Sequence, residues 1–280
     1  MTAQPDPAPS RARPRPIAAA DPWTQPDLRP HPIARTYQVV GPADAPPIVF
    51  IHGTRVTRAI WRPQQVGLAD TFRVVTLDLP GHGSAAGRRF RLADAVDHVA
   101  EIIDEAAGGR ALVVGLSLGG YVAMELAASH PGRVAGLVLC GASTEPWAVI
   151  PQPLRIAAQA MLGLEDGVPQ RWSRGFVGPL RALRSREWRA SQRVRFDVGG
   201  QALLEIAGRR FRPRLAVYRG RSLIINGAHD PLFRRQETAF LGSTRNGSLL
   251  ILAGAGHLMN SDVPDVFNRA IRGFASSLDW

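Results

Sequence analysis

Short apolar runs alternate with helical patterns along most of this chain, and this alternation limits the fold more than any other feature. The runs are rich in valine, isoleucine and leucine, which is typical of strands buried on both faces. The predicted strands are residues 47–51, 73–77, 111–116, 134–139, 222–225 and 248–252. Parallel strands need a crossover between them, usually a helix. The sequence therefore predicts an α/β fold, with a mostly parallel central sheet and helices on both faces.

Two of the connecting segments have clear helical periodicity. Leu92, Val96, Val99 and Ile103 fall on one helical face, and acidic residues lie between them. Pro264 precedes a second apolar repeat, and proline is well accommodated in the first turn of a helix. Both segments are expected to form amphipathic helices that cover the sheet.

The composition excludes some classes of protein. The chain has 280 residues and a formal net charge of +11, and all of its basic residues except histidine are arginines. It contains no recognition motif for DNA or RNA. No apolar run approaches the roughly 18 residues that span a bilayer. We interpret the charge mainly as a compositional bias, and we expect a small-molecule substrate with neither a nucleic-acid partner nor a membrane span.

A change in composition along the chain suggests how it is divided into domains. Residues 1–35 are rich in proline, alanine and arginine, without hydrophobic periodicity, and are expected to be a disordered tail. Residues 36–280 are expected to form a single domain. No secretory signal is recognisable, and Cys140 is the only cysteine, so a cytoplasmic location is expected. Cys140 ends an apolar run and is interpreted as a small buried hydrophobe.

The longest interval between predicted strands, about 144–221, is interpreted as an inserted helical lid. It contains many aromatic residues and arginines. The arginines could bind an anionic group of a substrate, but solvated helix faces would explain them equally well. The arginines considered for this role are Arg171, Arg174, Arg193 and Arg195.

The strongest chemical signal is Gly115-Leu116-Ser117-Leu118-Gly119, which directly follows a predicted strand and precedes a helical pattern. In this context the motif is typical of a nucleophile elbow, a sharp strand-to-helix turn that exposes a serine. The flanking glycines remove side chains that would clash with the neighbouring strand and helix. We predict that Ser117 is a nucleophile; the alternative is a glycine-rich turn around an inert serine.

A serine hydroxyl needs a base, and that base needs a carboxylate to fix its tautomer. Asp230 and His257 each follow a later predicted strand, in the chain order serine, acid, histidine. The carboxyl ends of parallel strands share one edge of a sheet. We therefore predict His257 as the base and Asp230 as the acid. Asp230 could instead cap the following helix, and Glu145 could then supply the acid. His229 is interpreted as a turn residue.

Acyl transfer also needs donors for the negative charge that develops on the carbonyl oxygen. The backbone N–H of Leu118, directly after the nucleophile, is one candidate. The N–H of Thr54, after the pair His52-Gly53 at the end of the first predicted strand, is the other. The alternative for this segment is an ordinary strand-exit turn, and His52 is expected to be structural.

Together, His52-Gly53, Asp78-Leu79-Pro80-Gly81-His82-Gly83-Ser84, the Ser117 motif, Asp230 and Gly256-His257 closely resemble the α/β-hydrolase superfamily. The resemblance runs from about residue 37 to the end. It implies that His82 lies in a structural loop and is not catalytic. Members that use aspartate as nucleophile, such as haloalkane dehalogenases and epoxide hydrolases, are disfavoured by Ser117, and the segment after Gly53 does not match proline iminopeptidases.

The function expected from this resemblance is hydrolysis of an ester or a lactone through an acyl-enzyme, a mechanism that needs no metal or organic cofactor. Carbon–carbon bond hydrolases and haloperoxidase-like members remain alternatives. A further alternative is a small-ligand receptor with little or no turnover, because the same fold can serve unrelated functions. The sequence leaves the substrate and the oligomeric state open.

Overall fold

The computed structural model describes residues 36–146 and 196–280, and these form a seven-stranded sheet in the order β1-β3-β2-β4-β5-β6-β7. Strand β1 is antiparallel to β3, and every other pairing is parallel. The strands are β1 (Tyr37–Val40), β2 (Pro47–Ile51), β3 (Arg73–Leu77), β4 (Ala111–Leu116), β5 (Val134–Cys140), β6 (Arg221–Gly227) and β7 (Asn246–Leu252). The predicted mostly parallel α/β sheet is confirmed.

Helices, numbered here within the described ranges, lie against the sheet on both faces. They are α1 (Arg62–Leu68), α2 (Leu92–Ala106), α3 (Leu118–Ser129), α4 (Phe196–Ile206), α5 (Arg212–Val217), α6 (Glu237–Leu241), α7 (Met259–Asp262) and α8 (Pro264–Ala275). Pro264 occupies the first turn of α8, as its sequence position predicted. None of the helices in these ranges is long and apolar enough to cross a membrane.

The sheet separates two hydrophobic cores. Along β2, Val49 and Ile51 face the core that contains α2 and α3, whereas Ile48 and Phe50 face the core that contains α1 and α8. All four side chains are fully buried. Because successive residues of a strand point to opposite faces, an uninterrupted apolar run is what a strand covered on both faces requires.

Three of the six predicted strands have the bounds expected from the sequence, and the other three are longer by one to three residues in the structure. Strand β1 was not among the predicted strands. It is only four residues long and pairs at the edge of the sheet, with Tyr37 opposite Leu77. So short a segment, containing the polar Gln38, has too little apolar periodicity to stand out.

Two predictions about domain organisation fall wholly or mostly outside the described residues. The tail, 1–35, lies outside them, as does the 147–195 part of the interval interpreted as a lid. The end of that interval contains α4 and α5, and the interpretation of the whole interval as a lid stays a prediction. Helix α4 contacts α2 on one face of the sheet.

Candidate active site

Ser117 lies in a sharp turn between β4 and α3. Its backbone adopts φ 52° and ψ −115°, a left-handed conformation that is costly for a residue with a side chain. The Ser117 N–H donates to the carbonyl of Cys140, 2.8 Å away, and this bond fixes the turn to the end of β5. A Cβ atom at Gly119 would collide with the Ile51 carbonyl, so only glycine lets α3 approach β2 this closely. The elbow predicted from the sequence therefore has the expected geometry.

Asp230 and His257 are in direct contact at the same edge of the sheet. The His257 Nδ1–H donates to Asp230 Oδ2 over 2.7 Å. The Asp230 side chain is 3% exposed and the His257 side chain 25% exposed. The ring of Phe233 stacks on the imidazole, with centroids 4.8 Å apart and planes 16° from parallel. The carboxylate and Phe233 together orient the ring, and the bond at Nδ1 leaves Nε2 available on the opposite side.

Hydrogen bonds between backbone groups connect the loops that carry Asp230 and His257. Ala228 N–H donates to the Leu252 carbonyl and His229 N–H to the Ala255 carbonyl, both over 2.9 Å. A Cβ atom at Gly227 would collide with the carbonyl of Gly256. Close approach of the two loops therefore depends on glycine at position 227.

Gly141 lies between the turn that carries Ser117 and the imidazole of His257. It directly follows Cys140, which accepts the Ser117 N–H, and it has φ +53°. A Cβ atom here would lie 2.9 Å from both Cε1 and Nδ1 of His257. The imidazole thus packs against a backbone that is itself next to the serine turn. Within the described residues Ser117 Oγ makes no hydrogen bond to His257, and catalytic bonds often form only when a substrate is bound.

The Gly141→Ala substitution is expected to lower kcat by about 10²-fold, because the new methyl group displaces the imidazole by a fraction of an ångström to about 1 Å. The measurement is steady-state hydrolysis of a p-nitrophenyl ester. Gly254→Ala is the matched control, since Gly254 also has a positive φ, +74°, but no atom lies within 4 Å of its added Cβ. If kcat fell equally in the two variants, backbone strain would explain the effect, and this role for Gly141 would be contradicted.

Glu145, the alternative acid, is engaged elsewhere. Its Oε2 accepts the N–H of Phe211 over 2.8 Å and its Oε1 accepts the N–H of Arg212 over 2.9 Å. These are N–H groups at the beginning of α5, which have no partners within that helix. Glu145 therefore caps α5, and Asp230 is the carboxylate in contact with His257.

Thr54 and Leu118 both line the cavity next to Ser117. A Cβ atom at Gly53 would lie 3.3 Å from the Ser117 Cβ, so the loop after β2 passes directly beside the serine. Leu118 is the first residue of α3, where backbone N–H groups have no acceptor within the helix. The two segments predicted to supply N–H donors are thus brought together at Ser117.

The surroundings of three further residues indicate structural roles; these are His52, His82 and Cys140. His52 is fully buried, donates from Nδ1 to the Gly53 carbonyl over 2.7 Å, and accepts the Leu79 N–H at Nε2 over 3.0 Å. Burial lowers the pKa of His52, and it lowers the pKa of His82 to about 3, so both imidazoles are neutral. Burial raises the pKa of the Cys140 thiol, which disfavours the thiolate.

Asp78 organises the loop in which His82 lies. Its carboxylate accepts the backbone N–H and the guanidinium of Arg58, each over 2.8 Å. It also accepts the backbone N–H and the hydroxyl of Ser84, over 2.9 and 2.8 Å. Asp78 thereby connects the loop after β3 to the turn that follows Thr54.

A cavity with about 540 Å³ of empty space, its open mouth included, lies next to Ser117. Helix α4 forms part of its wall. The lining residues are Thr54, Ser117, Leu118, Tyr121, Thr144, Pro146, Ala202, Leu203, Ile206, Leu232 and Phe233. The arginines considered from the sequence, Arg171, Arg174, Arg193 and Arg195, lie outside the described residues. Over 36–146 and 196–280, no cluster of three or more His, Cys, Asp or Glu side chains could hold a metal ion.

Comparison with known proteins gives a consistent set of relatives. A family model described as "Alpha/beta hydrolase family" matches residues 48–270. The chain is 26% identical to 3-oxoadipate enol-lactonase 1 of Acinetobacter baylyi over 246 residues, which is 86% of this chain and 92% of that protein. It is 38% identical to a pimeloyl-[acyl-carrier protein] methyl ester esterase of Nitrosomonas europaea over 96 residues, or 34% and 37% of the two chains.

Among solved structures, the chain is similar to a hydrolase from Pseudomonas aeruginosa PA01, with a TM-score of 0.74 and 28% identity. That similarity covers 85% of this chain and 92% of the other.

Proposed function

We propose that this chain, which belongs to the α/β-hydrolase family, cleaves a carboxylic ester or a lactone through a covalent intermediate on Ser117. Its relatives include a lactonase and a methyl ester esterase, and the chain is an esterase- or lactonase-like hydrolase. The observation that carries the proposal is the 2.7 Å bond between Asp230 and His257, at the same sheet edge as the left-handed Ser117.

His257 is the proposed general base. Asp230 holds the proton on Nδ1, so that the lone pair on Nε2 can take the Ser117 proton as Oγ attacks the carbonyl carbon. The tetrahedral intermediate then expels an alcohol, or the ring oxygen of a lactone, which receives the proton from His257. Water, activated by the same imidazole, releases the acid and restores the serine. No metal or organic cofactor takes part in these steps.

Leu118 N–H and Thr54 N–H are the proposed donors to the oxyanion. Both residues line the cavity beside Ser117, one at the beginning of α3 and one in the loop after β2. Fixed donors of this kind are worth roughly 10²–10³-fold each in kcat, because they need no reorganisation as charge develops. The N-terminal end of α3 adds a favourable dipole at the same place.

The described part of the cavity wall supports an apolar group on the substrate. Tyr121 donates its hydroxyl to the Thr144 carbonyl over 2.6 Å, and Thr144 donates its own hydroxyl to the Leu232 carbonyl over 2.9 Å. Both hydroxyls are therefore satisfied within the protein. The surface presented next to Ser117 is mainly hydrocarbon from α3, α4 and Leu232, and burying an unpaired charge there would be costly.

The test is a screen of p-nitrophenyl esters and lactones that compares each neutral acyl group with a carboxylated counterpart, at low and at high salt. We expect neutral substrates to be turned over at least about ten-fold faster, because a buried unpaired carboxylate loses its hydration. Faster turnover of the carboxylated substrates at low salt, lost at high salt, would contradict the apolar site and support an anion-binding role for the arginines. Tight binding without turnover of any ester or lactone would instead support the receptor alternative.

A cytoplasmic location remains a prediction. It rests on the single cysteine, which is fully buried in the structure.

A further inference from the structure

A second carboxylate, that of Asp262, closes the loop that carries His257. Asp262 Oδ2 accepts the N–H of Gly256, the residue directly before His257, over 2.8 Å. The Asp262 N–H donates to the Leu258 carbonyl, directly after His257, over 2.9 Å. Asp262 is thus hydrogen-bonded to the backbone on both sides of the histidine, and it fixes the path of the chain through that residue.

Asp262 also interacts electrostatically with His257. It is partly buried, and burial raises the pKa of its carboxyl group, opposed by the Gly256 N–H and by the positive form of His257. His257 therefore interacts with two carboxylates, one hydrogen-bonded to its ring and one hydrogen-bonded to the backbone N–H of the preceding residue. A negative charge near an imidazole favours the imidazolium form.

The helix that carries Asp262 has independent anchors. The Asn260 side chain donates to the Ile60 carbonyl over 2.9 Å, and Gln64 donates to the Asn260 carbonyl over 2.9 Å. These bonds join α7 to α1 and to the turn before it, and the groups that make them are neutral. A change of charge at Asp262 should therefore leave α7 in place, which separates the electrostatic effect from loss of the loop.

We propose that Asp262 is a positioning residue for His257: it holds the Gly256–His257 backbone and its charge stabilises the imidazolium that forms when Ser117 attacks. This inference rests on the proposed function, because it assigns Asp262 a part in that reaction. Asp262 does not line the cavity, so its effect is expected in kcat and in the pH profile and not in KM.

The Asp262→Asn substitution tests the charge alone, since an amide oxygen can still accept the Gly256 N–H. Removing a nearby negative charge makes the imidazolium less stable, so the neutral base persists to lower pH. We expect the acid limb of the kcat profile to move down by roughly 0.5 pH unit and the plateau kcat to fall roughly three- to ten-fold, with KM within about two-fold of wild type. A profile that superposes on that of the wild type overturns the proposal.

The Asp262→Ala substitution removes both charge and hydrogen bond, and kcat is expected to fall by roughly a further ten-fold. Asp265→Asn is the matched control. Asp265 is an exposed acid at the beginning of α8, so this substitution removes the same charge a few residues away. An equal pH shift in Asp265→Asn would attribute the effect to net charge and overturn the proposal. If the wild type shows no Ser117-dependent activity, the proposed function fails; if it does and Asp262→Asn is unchanged, only this inference fails.

Discussion

The Ser117→Ala substitution is expected to lower kcat for ester hydrolysis by about 10⁵-fold or more, because removal of a catalytic serine abolishes the covalent route. The residual rate should come from substrate binding and the oxyanion donors, which do not depend on the hydroxyl. KM, or the affinity for a non-cleaved analogue, should change little. The measurement is kcat and KM with the best ester or lactone from the screen.

Ser129→Ala is the control for this loss. Ser129 lies at the other end of the same helix, is exposed, and bonds only within its own segment, to the Glu125 carbonyl and to His130. Surface substitutions of this kind usually leave function and stability nearly unchanged. If Ser117→Ala kept more than about a hundredth of wild-type kcat, the proposed covalent step on Ser117 would be wrong.

The Asp230→Asn substitution is expected to lower kcat by about 10⁴-fold, because an amide in place of the carboxylate favours the wrong tautomer of the histidine. In the structure Asp230 Oδ2 accepts the His257 Nδ1–H. An asparagine can donate to Nδ1 instead, which moves the ring proton to Nε2 and removes the lone pair that must accept the Ser117 proton. The loss of kcat in Asp230→Asn should become smaller at high pH, where hydroxide can replace the imidazole as the base.

Glu145→Gln decides between the two acids considered from the sequence. Glu145 accepts two N–H groups at the beginning of α5, so this variant should lose roughly 1–3 kcal/mol of stability, because the amide can accept only one of them well. Its kcat should stay within about three-fold of wild type, because Glu145 contacts neither Ser117 nor His257. A large loss of kcat in Glu145→Gln, with Asp230→Asn active, would reverse the assignment.

The sheet could be predicted from the sequence because its central strands, β2 to β6, are buried on both faces. Each such strand leaves a run of consecutive apolar residues, as in Ala111–Leu116, whose whole length is buried. Strand β1 lacks this signal, because it is only four residues long, contains the polar Gln38 and is buried only at Tyr37. What decides its position is the pairing of Tyr37 with Leu77, forty residues away along the chain.

The candidate site could be predicted in part. Ser117, Asp230 and His257 each follow a recognisable strand, and strand ends meet at one edge of a parallel sheet. The role of Gly141 had no comparable signal, since its contact with His257 depends on how two distant loops pack. The same is true of Phe233 and Asp262: their contacts with the histidine loop depend on the short turns around them. The choice between Asp230 and Glu145 likewise needed three-dimensional contacts.

Labelling of the folded protein with a fluorophosphonate, followed by mass spectrometry of the intact chain and its peptides, tests the central proposal most directly. We expect one adduct per chain, on Ser117, formed quickly by the wild type, slowly by Asp230→Asn and not at all by Ser117→Ala or by the heat-denatured wild type. An adduct on another residue, or a folded and ester-cleaving protein with Ser117 unlabelled, would contradict it.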